Sequence, residues 1–508
     1  MNWKIVFAIT GFVLLGEREI SAQIYSYPEQ ALSLTRIQPG GTARIRAMGG
    51  VQTALGGDLS SAYYNPGGLG MYNRSDFAFT PGYTVANSSA NYLGTTTDTN
   101  KTSLIVPNFG VAFHTSKDGS KGLWGGTFAI NFNRINDFNN SYSYHGTNQA
   151  NSIIDYFISA ANGTDISQFQ KGTNSTPEGF NYNTPVGLAF NNYLIGPASE
   201  LNPSNPKDQY FSYVPLQDII QDETIKTSGA QNQWSFSYGV NFNDKIFVGG
   251  GLGLATLSYK TSVVYNETYA INPLKSMQLK ENFEMSGNGV NLTLGMIARP
   301  LDQLQLGFSL ATPTSYQINE NYNATVSSNW NNFNYPVTPP LTSPLTKQSE
   351  STDNVINSYS LSTPWRFSGG MAFFIEKHGF ISADVEYLSY GASHYSGKSG
   401  SDQDNKDIKN LYKSVLNIRV GGEYRLNSYR FRAGYNFMPD PYQSPQNGVD
   451  RSISSYTAGF GYRQEKYYID LALVYQQGNS THSPYSNSPN VTLANAATSV
   501  IFTIGFPF

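Results

Sequence analysis

Hydrophobic residues recur at every second position over many short stretches of the chain. In TSVIFTIGFPF, Val500, Phe502, Ile504, Phe506 and Phe508 share one face, and Ser499, Thr503, Gly505 and Pro507 share the other. KYYIDLALVYQ sets Tyr467, Ile469, Leu471, Leu473 and Tyr475 against Tyr468, Asp470, Ala472, Val474 and Gln476. LYKSVLNIRVGGEYR sets Leu416, Ile418, Val420 and Tyr424 against Asn417, Arg419, Gly421 and Glu423. NQWSFSYGVNF sets Trp234, Phe236, Tyr238, Val240 and Phe242 against Ser235, Ser237, Gly239 and Asn241. A period of two is the strand period. One such run fits a half-buried strand of a soluble sandwich. Many runs, each apolar on one face and small or polar on the other, fit a closed sheet that meets lipid on its outside.

The connections alternate in length. Short turns are expected near Lys117–Lys121, Asn243–Lys245, Pro300–Asp302, Glu376–His378, Leu426–Asn427 and Gln464–Glu465. Longer polar connections are expected at 87–106, 135–230, 266–272, 326–357, 391–411, 438–450 and 479–495. This predicts an all-β, antiparallel transmembrane barrel of about fourteen strands over 77–508, with both termini at the short-turn, periplasmic end. The stretch 266–299 alternates well only at its end. The connection 135–230 is too long for a turn and predicts a long extracellular loop with helical segments. Ile153, Ile154, Phe157 and Ile158 have helical spacing and are the candidate apolar residues of that loop. The Asn-, Pro-, Ser- and Thr-rich stretch 326–357 predicts no packed core.

The first residues read as an export signal over 1–22. Lys4 precedes an apolar run, Ile5 to Leu15, that is too short to cross a bilayer as a helix, and Ala22 is the expected last residue before cleavage. Residues 23–76 would then precede the barrel and are too few for an independent domain. A barrel of about fourteen strands has an interior that its own side chains do not fill. A compact N-terminal segment over 23–76, a hatch, would fill it. LGGDLSSAYYNPGGLGMY supplies small residues for close approach to the wall and an Asn65-Pro66 turn.

Composition agrees. Charged residues are 13 % of the 508, against about 25 % in ordinary globular domains. Aromatic residues are 14 %, and there are 48 glycines. A net charge of −3 gives no nucleic-acid footprint. The absence of cysteine excludes disulfides, thiolate metal sites and a lipid anchor through Cys.

An export signal, GGTARIRAMGGVQTALGGDLSSAYYNPGGLG, and alternating strands ending in Phe508 together resemble the FadL-type outer-membrane transporters of long-chain fatty acids and aromatic hydrocarbons. NFNRINDFN at 131–139, and the stretches 242–259 and 289–316, look familial as well. The resemblance implies a fourteen-stranded barrel with a hatch in its lumen. The family's Asn-Pro-Ala hatch turn would be Asn65, Pro66 and Gly67 here, the last a departure to another small residue. It further implies a hydrophobic, fatty acid-like ligand that enters from outside, meets a lumenal pocket gated by the hatch, and leaves sideways into the membrane. The expected surroundings are the lipid and lipopolysaccharide of a Gram-negative outer membrane. The terminal aromatic resembles the signal read by the barrel-insertion machinery.

The sequence carries no catalytic constellation. His114, His145, His378, His394 and His482 are scattered rather than set at metal-ligand spacing, and no cofactor is expected. GGGLG at 249–253 lies in a strand pattern without the helix that phosphate binding needs. On the alternation, Arg366, Asp384, Glu386, Arg419, Glu423, Arg430 and Arg432 point into the lumen. They either pair with one another and with Arg44, Arg46 and Asp58, or offer an arginine to a ligand carboxylate. Three functions remain open: a passive channel for hydrophobic molecules, a plugged barrel serving as structural or assembly subunit, and an open porin, which the plug disfavours.

Overall fold

The computed structural model describes residues 26–117, 122–172, 179, 181–202, 204–206, 208–337 and 340–508. The expected signal segment, residues 23–25 and residues 118–121 of the first short turn lie outside this set. Four short elements come first: α1 (Tyr27–Thr35), α2 (Ala43–Arg46), α3 (Ser61–Tyr64) and a 3-10 turn, Pro66–Met71. β1 (Asp76–Tyr92) and β2 (Thr95–Ser116) form a hairpin, followed by β3 (Leu123–Asp137) and its continuation β4 (Asn140–Asn148). The next connection carries α4 (Ile153–Ala161), α5 (Pro185–Asn191) and the small pair β5 (Gly196–Pro197) and β6 (Tyr210–Phe211). β7 (Ile219–Phe242), β8 (Ile246–Tyr269) and β9 (Leu274–Leu301) are the tallest strands. β10 (Leu304–Ala311) and β11 (Ser315–Phe333) are two halves of one wall position, with β12 (Leu345–Ser351) beside β11. β13 (Val355–Ser362) and β14 (Arg366–Ile375) are halves of the next. β15 (Gly379–Ser389), β16 (His394–Ser396), α6 (Ser401–Leu411), β17 (Ser414–Leu426), β18 (Tyr429–Met438), β19 (Ile453–Arg463), β20 (Tyr468–His482) and β21 (Val491–Pro507) follow.

All wall pairings are antiparallel. β21 returns to β1, with Pro507 opposite Asp76 and Thr492 opposite Asn91, so a ring of 14 wall positions closes. The strand breaks at the short-turn end fall where the alternation placed them, at 243–245, 302–303, 376–378, 427–428 and 464–467. The lipid phase is also as expected. Leu471 is 45 % exposed and its neighbour Ala472 is 0 % exposed. Leu416, Ile418 and Val420 face outward, with Asn417 and Arg419 buried between them.

Several long connections are shorter than the sequence suggested, because strands continue above the membrane. The stretch 87–106 is no loop. β1 and β2 run on to a tight turn at Leu93-Gly94, both with positive φ, of 51° and 86°, as the right-handed twist of a hairpin favours. Residues 219–230 belong to β7, and 274–299 belong to β9.

The physical reason is an inversion of polarity at the membrane boundary. On β8 the outward apolar positions run from Ile246 to Leu254, close to the 9–11 residues a tilted strand needs to span a bilayer. Above Leu254 the outward residues are Thr256, Ser258 and Lys260, and the inward ones are Leu257, Val263 and Tyr265, all buried. β9 mirrors this with Met277, Leu279, Phe283 and Met285 inside. The period of two persists while its sign reverses.

The inward apolar residues above the boundary form one core with the extracellular elements. Trp330, Tyr335 and Leu345 are buried in it, so 326–357 does have a packed core, contrary to expectation. Helix α1 enters the same core through Ala31 and Leu34. The Tyr27 ring lies 5.6 Å from that of Tyr359 and 5.4 Å from that of Tyr395, and the Lys398 ammonium sits 3.6 Å from the Tyr27 ring centre. The hydroxyls of Tyr27 and Tyr359 donate to Glu320 at 2.8 and 2.9 Å.

An arginine placed in the outward band should cost about 2–4 kcal/mol at mid-bilayer and about 0–1 kcal/mol near its edge. Leu471→Arg is therefore expected to destabilise the barrel strongly in vesicle-refolding and urea-unfolding measurements. Ser258→Arg, outward but above the band, is expected to leave the midpoint nearly unchanged.

Candidate functional site

Residues 36–72 touch inward positions right around the ring. On one side, the Ala43 amide donates to Thr503 Oγ1 at 2.8 Å, Thr457 Oγ1 donates to the Ala47 carbonyl at 2.9 Å, and the methyls of Ala43 and Ala47 pack against Ala472 and Ile501. Further round, the Gln52 and Thr53 amides donate to Asp384 Oδ2 at 2.7 and 2.8 Å. On the far side, Ser237 Oγ donates to the Ala62 carbonyl at 2.7 Å, and Ser309 Oγ donates to that of Tyr64 at 2.6 Å.

Asn65 is the fixed point of this segment and is fully buried. Its Nδ2 reaches the carbonyls of Thr53, Met296 and Phe308 at 2.6, 3.2 and 3.3 Å. Its Oδ1 accepts from the Gly67 amide at 3.1 Å, starting the 3-10 turn at Pro66. A short polar side chain that bonds two residues ahead, followed by a proline with fixed φ, is a local rule for such a turn. A Cβ on Gly67 would meet the Phe247 carbonyl oxygen at 2.9 Å, so glycine is what lets the turn lie on the wall. Tyr63 and Tyr64 stack edge to face at 4.9 Å, and the Gly40 amide donates to Tyr64 Oη at 2.6 Å. Burial raises both hydroxyls above their ordinary value, so both are neutral.

The inward charges fall into two connected groups. Glu386 pairs with Arg366 at 3.4 Å and with Arg419 at 3.2 Å, and accepts from Asn417 Nδ2 at 2.9 Å. Glu423 pairs with Arg432 and Arg425, both at 2.8 Å, and with Arg44 of α2 at 3.8 Å. Arg432 continues to Asp470 at 2.7 Å, which also takes Arg463 at 3.3 Å. Arg430 does not join either group. It sits at the short-turn rim, where its guanidinium caps the carbonyls of Asn427 and Tyr429. Asp470 was legible as an inward residue of β20 but not as the partner of two arginines. Arg425 and Arg463 lie at strand ends, where alternation gives little direction.

The loop residues with helical spacing lie on α4. Ile153, Ile154 and Phe157 are buried and Ile158 is partly buried in the extracellular core, so they form no exposed apolar patch. Their helix is pinned by Glu267, a fully buried carboxylate on β8. It accepts from the Ile153 amide at 2.9 Å, Ser152 Oγ at 2.5 Å, Gln221 Nε2 at 2.7 Å and Tyr265 Oη at 2.8 Å. An anion at a helix N-terminus is favourably placed. Among the described residues no group of three or more His, Asp or Glu side chains is set to hold a metal.

A lumenal cavity of about 330 Å³ lies beside α2. Ile105, Pro107, Ile135 and Val474 give it apolar walls, and Arg46, Gln38 and Gln476 also line it. None of those three polar side chains has a hydrogen bond or ion pair with another described residue. The cavity backs onto a discontinuity in the wall. The β2–β3 ladder stops at Asn108 opposite Asn133. Above it β2 pairs only with β1, while β4 pairs with β7. Pro107 has no N–H to continue the ladder. Asn108 Nδ2 ends the ladder instead, donating to Asn131 and Asn133 at 3.0 and 2.8 Å.

Residues 220–506 match the model of one family, described as outer membrane protein transport protein (OMPP1/FadL/TodX). The chain belongs to that family. Two solved structures share its architecture. A Pseudomonas aeruginosa FadL homologue aligns with a TM-score of 0.54 at 10 % identity, covering 93 % of this chain and 99 % of its own. The Pseudomonas putida toluene transporter TodX aligns with a TM-score of 0.50 at 12 % identity, covering 92 % and 98 %. Identities this low carry the fold alone. No curated protein matches the chain in sequence. As a FadL/TodX-family barrel it resides in the outer membrane of a Gram-negative bacterium, and the members of its family are transport channels rather than enzymes.

Removing Glu386 leaves Arg366 and Arg419 buried without their carboxylate. Breaking a buried pair from one side costs about 3–5 kcal/mol. Glu386→Ala is expected to lower the unfolding free energy of the refolded barrel by that order, read from urea-unfolding curves. Asn65→Ala should instead leave the barrel assembled and loosen the turn, read as faster maleimide labelling of an Ala62→Cys reporter than in the reporter with Asn65 intact.

Proposed function

We propose that the chain is a passive channel for hydrophobic small molecules with one anionic head group, such as long-chain fatty acids. The observation that carries this reading is Arg46. It is a cation facing a partly apolar cavity with no ion pair or hydrogen bond to a described residue, whereas Arg366, Arg419 and Arg432 are taken up by carboxylates. Of the arginines that share its cavity, Arg134 pairs with Asp137, Arg36 donates to backbone carbonyls and Arg451 donates to Thr481. A guanidinium of this kind suits a carboxylate, whose charge-assisted hydrogen bonds exceed neutral ones. The apolar wall residues suit a hydrocarbon tail. A purely aromatic cargo, as in the toluene transporter, would leave Arg46 unused.

In this reading residues 23–76 are the hatch, held by Asn65, Pro66 and Gly67. The charge groups around Glu386 and Glu423 keep it seated. The β2–β3 discontinuity is the exit into the membrane, because the cavity lies directly behind it. Its upper part is bridged by side chains, Thr99 to Ser143 at 3.1 Å and Thr97 to His145 at 3.2 Å, rather than by a ladder. Sideways release keeps a hydrophobic tail out of water.

The test is uptake of labelled oleate by a deletion strain restored with the wild-type chain or with Arg46→Gln. Losing a charge-assisted hydrogen bond of about 1.5 kcal/mol should weaken apparent affinity by about tenfold. Toluene uptake should not respond to Arg46→Gln. Equal oleate uptake with and without the protein would sink the channel reading and favour a plugged structural subunit. An unchanged affinity in Arg46→Gln would sink the head-group assignment alone.

A further inference from the structure

A second defect interrupts the wall several strands round the ring from the β2–β3 discontinuity. Pro313 and Pro364 break two neighbouring wall positions at one height. β10 pairs with β9 up to Ala311 opposite Thr293, and with β14 up to Ala311 opposite Arg366. β11 resumes at Ser315, opposite Val290 on one edge and Ser362 on the other. Residues 312–314 therefore face only 291–292 on the β9 side, and 363–365 on the other. Neither proline has an N–H to give.

Threonine and asparagine side chains close part of the gap. The Leu292 amide donates to Thr312 Oγ1 at 3.0 Å, and the Thr314 amide donates to Thr363 Oγ1 at 2.8 Å. Asn291 Nδ2 donates to Thr314 Oγ1 at 2.9 Å. Two backbone bonds remain, Thr312 to Leu292 at 2.9 Å and Thr363 to Thr314 at 3.1 Å. Rotation about χ1 releases a side-chain bond without moving a strand, which a ladder bond does not allow.

The space on each side is what gives the defect a use. Outside lies an apolar groove of about 450 Å³ lined by Phe236, Tyr238, Leu252, Leu294, Leu310 and Trp365. These residues belong to the lipid-facing band, which ends at Leu254 and Val290. Gly250 leaves the groove floor bare, since a Cβ there would meet nothing nearer than Leu294 Cδ2 at 3.4 Å. Inside lies a small cavity of about 50 Å³ beside Tyr63 and Tyr64. Thr293 and Thr312 line both spaces. Gln38 and Ile135 line both this inner cavity and the larger lumenal cavity, so those two side chains stand between them.

We propose that the paired proline break is a second lateral portal, through which the apolar cargo passes between the lumen and the outer leaflet, with the outer groove as its seat on the membrane side. The proposal rests on the channel reading. Thr312 is the residue that opens and shuts the passage. The groove receives the tail, and Trp365 marks its rim.

The absence of native cysteine makes the test direct. Thr314→Cys with Thr363→Cys would lock the break by a disulfide, and Thr99→Cys with Ser143→Cys would lock the β2–β3 discontinuity. Oleate uptake is measured for each pair oxidised and reduced, with heat-modifiable mobility confirming an intact barrel. The expected result is a loss of uptake rate on oxidising the 314–363 pair, recovered by reductant. Gly250→Leu, which fills the groove from outside, should lower uptake as well, and Gly369→Leu, an outward glycine elsewhere in the wall, should not. Unchanged uptake in both the oxidised 314–363 pair and Gly250→Leu overturns the portal and leaves the channel reading standing if the 99–143 lock stops uptake. No uptake above the deletion strain by the unlocked barrel overturns both.

Discussion

Inside a bilayer no water is at hand for the backbone, so every N–H and C=O must find its partner within the fold. The pairing of β21 with β1 meets that demand for the whole sheet. With it the ring has no open first or last strand; without it two rows of polar groups would face lipid. The rest of the molecule follows from this closure. A ring of this circumference has a lumen its own side chains do not fill, and the space is occupied by residues from ahead of β1, held by bonds to strands right around the wall.

The same demand makes departures from the ladder informative. Wherever the backbone loses its regular partner, a side chain has to stand in. Asn108 does so beneath the β2–β3 discontinuity, and Thr312, Thr314 and Thr363 do so at the paired proline break. Such places are weaker than the ladder around them and are the places where a wall can part locally. Both adjoin lumenal cavities.

Much of the barrel was legible because lipid imposes one rule on every strand. The outward phase of Leu416, Leu471 and Phe502 and the short turns needed only alternation and turn residues. The tall strands above the membrane were less legible. In MQLKENFEM the pattern is as regular as in the lipid band, but the apolar residues point inward, so a reader expecting lipid outside sees only a polar stretch. The inward charges were legible as a set, and their pairing was not. Nothing in the sequence distinguishes Arg432, bound to two carboxylates, from Arg46, which faces a cavity. The alternation put Arg430 in the lumen, yet at the end of β18 its long side chain curls back onto turn carbonyls. The prolines at 107, 313 and 364 were visible, but their effect depends on neighbours far away in sequence.

Helix α1 carries a consequence for closure of the wall. It precedes β1, which starts at the periplasmic end, yet it is packed among extracellular side chains near Tyr359, Tyr395 and Lys398. The opening residues thus run nearly the full height of a cylinder whose last seam is made by the final strand. Their seating is tied to the seam itself: the Ala43 amide and Thr80 of β1 both bond Thr503 of β21, and Ala43 and Ala47 pack on Ile501 of the same strand. The residues that fill the lumen thus share their anchor points with the pairing that closes it, so loss of either loosens the other.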